Sequence, residues 1–459
     1  MIKTALMFLT LLAASVPPLR ADFKLPSVTA GDVKASAQTA PAPRRDAGPD
    51  VKKDWTIMVF MNGKSNIEPF ALNDMNRFET VGSGEKVNIV VELGRARGLD
   101  GDTTADGDWE GVRRYFVVRD ADKEHISSPV LMDLGNADMG DYKEAASFVK
   151  WAKTNYPARR YMFIIWDHGW GWIDPVKSGA KPAADRSISF DFASGNYIKT
   201  ADLGKIFREA GRVDLYASMA CFMQMAEVAL ELKDGADIIV GSEEVIQLPS
   251  FNFEDFFAQM LADPGVSAAK AGIRLVDTFK EMYSRPEYAD MLEKAKYGVQ
   301  LSAVRARKLE AFARKTGNWA RLAMRVNDTA AYRNAKAEVL RFEVGDELTD
   351  PDKQISFYAD LSHFVKLVNA GLDTARPGAR NLQAAGLDLN KFIARELVVR
   401  NTGLGRDRTG KKYSDAYGIA IDIPGKPGSL IEYYPTYSTL KFEKISHWRS
   451  FMDYLEKIN

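Results

Sequence analysis

Five short, strongly apolar runs, separated by stretches of helical pattern, constrain this chain more than any other feature. They are residues 56–61 (TIMVFM), 87–93 (VNIVVEL), 161–166 (YMFIIW), 213–217 (VDLYA) and 238–241 (IIVG). Strands apolar on both sides belong inside a mostly parallel sheet with helices on both faces. Helical pattern falls between them, over residues 68–78, 145–151, 202–209 and 223–232, and residues 113–118 read as a half-exposed strand. The fold class is therefore α/β, with this layered domain over residues 54–300. Beyond it, amphipathic patterns over 303–326, 330–342, 357–368, 387–399 and 445–455, with one strand at 417–423, predict a mainly helical α+β subdomain over 301–459. Its apolar faces need a partner, so it is expected to pack on the first domain.

The first 53 residues read differently. Lys3, a twelve-residue apolar run over 5–16 and Pro17-Pro18 make residues 1–21 a signal peptide. Twelve residues are too few to span a bilayer, which takes about 20. The protein is thus expected to be exported, periplasmic or extracellular, with no membrane span. Residues 22–53 hold six Ala and four Pro and, from Lys24 on, no aromatic residue, a composition that predicts a flexible linker.

Several function classes drop out on composition. Lys plus Arg total 62 and Asp plus Glu total 62, so no excess of positive charge points to nucleic acid. A single cysteine rules out an intramolecular disulfide and any multi-cysteine zinc site. The four histidines lack the paired spacing of zinc hydrolases, and no Asp-rich calcium loop is present. No metal and no cofactor is expected.

Two strand ends carry the chemistry. The run 161–166 leads into Asp167-His168-Gly169-Trp170-Gly171-Trp172, and the run 213–217 leads into Ser218-Met219-Ala220-Cys221 before a helical stretch. Sites in open parallel sheets form outside the carboxyl ends of the strands. The only cysteine and one histidine both fall there, the cysteine at an expected helix N-terminus that favours its thiolate. Two readings of Cys221 stand on the residues alone: a small buried hydrophobe, or a nucleophile served by His168. Trp170 and Trp172 read as walls of a cleft, and the other three histidines as surface residues.

At these residues the sequence resembles the clostripain family of cysteine peptidases, which has a caspase-like fold. The matching segments are 55–62 (WTIMVFMN), 166–172 (WDHGWGW), 189–200 (SFDFASGNYIKT), 220–223 (ACFM) with Glu227, and 241–244 (GSEE). Weaker matches run through 359–364, 417–424 and Trp448. The resemblance implies that His168 is the general acid/base and Cys221 the nucleophile toward a protein or peptide substrate. It further implies that the backbone N–H groups of Gly169 and Cys221 form the oxyanion hole. Asp167 points to the opposite face from His168 and is read as tying down its turn. The family's usual segment is Asp-Ala-Cys, its Asp lining the pocket for a basic residue; here that position is Met219, beside Trp170. Specificity is accordingly expected to depart from the family's basic preference. Calcium, needed by some relatives, finds no support in the residues.

Relatives are often cut between His and Cys, and residues 173–186 carry the Pro, Gly, Lys and Arg residues of a protease-sensitive loop. Two rival readings remain: a catalytically weak or inactive binding or scaffold protein of the same fold, and a metal-dependent hydrolase built from Asp167, His168, Asp191 and Glu243.

Overall fold

The computed structural model describes residues 52–99, 101–173, 187–247, 249–342, 358–425 and 434–458. The expected signal peptide, the expected linker up to residue 51 and residues 174–186 of the expected cleavage segment lie outside the described residues. A compact unit begins at Lys53, already the first residue of a strand, so the linker expected to run through 53 ends one residue sooner.

Thirteen strands are formed among the described residues. In chain order they are β1 (Lys53–Gly63), β2 (Val87–Arg95), β3 (Gly111–Phe116), β4 (Val130–Asp133), β5 (Ala158–Trp166), β6 (Ile188–Asp191) and β7 (Asn196–Ile198). They continue as β8 (Leu215–Met219), β9 (Ile238–Gly241), β10 (Gly298–Arg305), β11 (Tyr358–Asp360), β12 (Val398–Gly405) and β13 (Ala420–Asp422). Nine make one sheet, in the order β12-β10-β9-β8-β5-β1-β2-β3-β4, while β6 pairs with β7 and β11 with β13. The five central strands, β2, β1, β5, β8 and β9, pair in parallel; the edge pairings are antiparallel.

Alternation along the central strands explains why both faces are covered. Ile57, Val59 and Met61 of β1 enter one apolar layer with Met75, Phe78, Phe253, Phe257 and Phe279. Met58 and Phe60 enter the other, with Phe148 and Phe207 and, from the second half of the chain, Trp319, Phe364 and Trp448. Helices Glu68–Glu79, Phe253–Ala262 and Ala268–Tyr283 supply the first layer, and Tyr142–Asn155, Thr200–Ala210 and Leu309–Val326 the second.

Three sequence expectations need correction. The domain boundary set between 300 and 301 falls inside β10, and β12 also comes from the second half, so the sheet crosses it. Both strands carry polar residues that hid them. Gln300 Oε1 accepts from Glu243 N at 2.7 Å, and Ser302 Oγ donates to Gly418 O at 2.7 Å, so inward-facing polar groups break the apolar pattern of β10. β12 is an edge strand with one paired side. The helix read over 223–232 forms only from Ala226 to Glu231. No described helix is long and apolar enough to cross a membrane.

Candidate active site

The register of the sheet brings the two strand ends side by side. Trp166 at the end of β5 faces Met219 at the end of β8, and Asp167 N donates to Met219 O at 3.3 Å. His168 and Cys221 each lie two residues further on, at the same edge. Their turns touch through backbone: a Cβ added to Gly169 would meet Cys221 O at 2.6 Å, Ala220 Cβ at 2.9 Å and Cys221 N at 3.2 Å. Only glycine permits that approach.

A third strand end completes the edge. β1 borders β5, with Met61 opposite Trp166, and the chain leaves it through Asn62 to Asn66. Asn66 Oδ1 lies 2.8 Å from His168 Nε2. A carboxamide oxygen only accepts, so the proton of the neutral imidazole sits on Nε2 and Nδ1 is the basic nitrogen. The ring is half-buried, stacked on Phe192 with centroids 6.4 Å apart, and burial pushes its pKa down to about 4. It is neutral at physiological pH.

Asp167 is buried. Its Oδ2 accepts from Asn62 Nδ2 at 3.1 Å, and burial holds the carboxyl well above the usual range. Asn62 also donates to Ser189 Oγ at 3.2 Å, tying the end of β1 to the His168 turn and to β6.

Cys221, the chain's single cysteine, is partly exposed. It does not start a helix: Ala226 does, five residues on, so the expected helix-dipole effect on the thiol is absent. The turn is instead held by backbone. Phe222 N donates to Glu244 O at 3.3 Å and Gln224 N to Ser242 O at 2.9 Å, while Phe222 is held at φ 61°, in the left-handed region.

The two expected pocket residues differ. Trp170 is half-buried beside Phe222, ring centroids 6.0 Å apart, where it can wall a cleft. Met219 is 5% exposed and belongs to the apolar layer of Trp166 and Phe251. In the segment 249–255, Glu254 pairs with Arg77 at 2.7 Å and Asp255 with Arg285 at 2.9 Å. Buried Asp74, which accepts from Trp166 Nε1 at 2.7 Å, is paired with Arg77 as well.

The residues of the metal-dependent alternative are committed elsewhere. Asp191 pairs with Lys64 at 2.8 Å and accepts from Met139 N, and Glu243 accepts from Gly418 N at 2.9 Å. Among the described residues no group of three His, Cys, Asp or Glu side chains could hold a metal ion. Of the remaining histidines, His363 is half-buried rather than exposed, and its Nδ1 accepts from Leu340 N at 3.0 Å. Asn66 was missed from sequence, although it follows a strand end at the same sheet edge.

Comparison with known proteins shows the family and the fold. The clostripain family model matches residues 59–455. Clostripain of Hathewaya histolytica is 27% identical over 230 residues, which are 46% of this chain and 43% of clostripain, so the match spans less than half of that relative. Among solved structures, an inactive zymogen C11 protease from Parabacteroides distasonis superposes with a TM-score of 0.62 at 14% identity, covering 86% of this chain and 99% of that one. A secreted C11 cysteine protease from Bacteroides thetaiotaomicron, solved with an irreversible peptide inhibitor, gives 0.60 at 17% identity over 86% of this chain and 99% of that one. The mostly parallel, caspase-like sheet expected from sequence is the fold these structures share. The chain belongs to the clostripain family.

Proposed function

We propose that this chain is an exported cysteine-type endopeptidase that hydrolyses peptide bonds through Cys221 and His168. The observation that carries it is the backbone contact between Gly169 and Cys221 at two adjacent parallel strand ends. His168 Nδ1 takes the thiol proton, and Cys221 Sγ forms a bond to the peptide carbonyl carbon. The carbonyl electron pair moves onto oxygen, where the N–H groups of Gly169 and Cys221 receive it; one such donor is worth about 3 kcal/mol in the barrier. Collapse breaks the C–N bond, and the amine leaves with the proton from imidazolium Nδ1. Water, giving a proton to the same nitrogen, then attacks the thioester and releases the acid and the thiol.

Asn66 holds the imidazole in the required tautomer throughout. This chemistry draws on the chain's own groups, so activity is expected to survive chelators. Specificity favours uncharged side chains: a buried guanidinium without a carboxylate costs several kcal/mol, Met219 supplies none, and Asp74 and Glu254 are already paired with Arg77. Export is supported by the tripartite pattern of residues 1–21, and the secreted and zymogen relatives fit a protein matured by cleavage within 173–186. Intact mass of the active protein checks that cleavage.

The decisive test is alkylation of Cys221 by iodoacetamide at pH 6 to 7, beside peptide hydrolysis, in wild type and His168→Ala. Fast labelling that needs His168, with hydrolysis reduced by several orders of magnitude in His168→Ala and Cys221→Ala, is expected. An inert thiol in a folded wild type would make the chain a scaffold.

A further inference from the structure

The two-stranded sheet of β11 and β13, far from both turns in sequence, touches each of them. Tyr358 and Asp422 face one another in it. Tyr358 Oη donates to Trp170 O at 2.6 Å, across 188 residues, and Asp422 Oδ2 accepts from Trp172 Nε1 at 3.1 Å. The His168 turn is thus held at two points beyond the imidazole. On the other side, the Tyr358 ring packs on Phe222, the residue after Cys221, with centroids 5.4 Å apart. Ala420 N donates to Gln224 O at 3.0 Å, and Ala420 bridges Met225. Gly171 has φ +63°, and a Cβ there would meet Tyr358 Oη at 3.0 Å and Cζ at 3.1 Å, so the ring lies flush against the His168 turn.

The geometry points to Tyr358 as a positioning residue that holds the His168 and Cys221 turns together, making β11 and β13 part of the catalytic apparatus. This rests on the protease reading above. Tyr358 reaches both turns through residues that flank the imidazole and the thiol. It acts through Trp170 O, which fixes the turn that carries His168 and Gly169, and through Phe222, whose left-handed backbone sets the direction of Cys221. A shift of about an ångström between the turns is enough to misalign attack and proton transfer. A tyrosine that merely filled the core would need only a nearby acceptor for its hydroxyl. This one instead takes its acceptor from one catalytic turn and rests its ring on the other.

The test is Tyr358→Phe, which keeps the ring and deletes the hydroxyl. Peptide kcat is expected to fall about tenfold with KM within about twofold, as for a loss felt in the transition state alone. The His168-dependent rate of Cys221 labelling by iodoacetamide should fall by a similar factor, while the melting temperature stays within a few degrees. Unchanged rates, or rates lowered only in proportion to the unfolded fraction, overturn the assignment. If Tyr358→Phe is recovered only unfolded, Phe222→Leu carries the same test from the other turn, with the same fall expected. A wild type that labels quickly but cleaves no peptide removes the protease reading, and the labelling rates still decide the role of Tyr358.

Discussion

The turn carrying His168 and the turn carrying Cys221 leave neighbouring strands at one edge, yet they are held by different means. Around His168 the partners are largely side chains: Asn66 on the imidazole, Asn62 on Asp167, Tyr358 on the Trp170 carbonyl and Asp422 on the Trp172 indole. Around Cys221 they are mostly backbone: Phe222 N to Glu244 O, Gln224 N to Ser242 O, Ala420 N to Gln224 O, and a left-handed residue at 222. Under the proposed mechanism, the division follows from what each group has to do. An imidazole must present one nitrogen, in one tautomer, at one ring angle, and only a side-chain partner fixes all three. A thiol has one short side chain, so fixing its backbone fixes its line of attack.

The largest effect should come where the two schemes meet. Gly169→Ala places a methyl group within 2.6 Å of Cys221 O and 2.9 Å of Ala220 Cβ, so one turn must move. Peptide hydrolysis is expected to drop about a hundredfold or more. Overpacking should also cost about 1–3 kcal/mol of stability, read by denaturant unfolding. Near-normal kcat in Gly169→Ala would show that the contact between the turns is not what places the catalytic pair.

How much of this was legible in the sequence depended on range. The central strands were readable because burial on both faces leaves an apolar run whatever packs against it, as 161–166 shows. β10 was hidden because its inward polar groups, Gln300 and Ser302, are satisfied by Glu243 and Gly418, which no local window contains. His168 and Cys221 were readable because each ends a recognisable strand. Asn66 and Tyr358 were not: an asparagine after a strand and a tyrosine beginning one reach the His168 turn only through partners 102 and 188 residues away.

Asn66→Ala isolates the side-chain scheme. It removes the acceptor for Nε2 without touching the Cys221 turn, so kcat is expected to fall about ten- to a hundredfold, part of what a placed acid–base group supplies. Iodoacetamide labelling of Cys221 should slow with it. Unaltered kcat would mean that the imidazole is held by its stacking on Phe192. Met219→Asp probes the backbone scheme at its strand end. A carboxylate in the layer of Trp166 and Phe251 carries a desolvation cost, so the variant should melt several degrees lower. A peptide library should show the ratio of basic to neutral cleavage rising about tenfold; a wild type already favouring Arg or Lys, unchanged by the substitution, places the pocket elsewhere.

The smallest effect separates the two turns by pH. His168 has its pKa lowered by burial from 6.5 to about 4, so between those values the unfolded chain binds the proton and the folded one does not. Its contribution to stability is full above pH 6.5 and is lost as pH falls toward 4. Glu227, buried where the helix after the Cys221 turn begins, accepts from Asp422 N at 3.1 Å and Tyr437 Oη at 3.0 Å. Desolvation raises its pKa from 4.5 to about 7, so there the folded chain holds the extra proton. Its penalty is absent below pH 4.5 and grows as pH rises through 7. The two slopes oppose one another between about pH 4.5 and 6.5. Against wild type, His168→Gln should therefore gain stability on acidification across that window, and Glu227→Gln should lose it, each by a few degrees in the melting temperature measured from pH 4.5 to 7.5. If both variants shift in the same direction, one of the two groups does not titrate as its surroundings dictate.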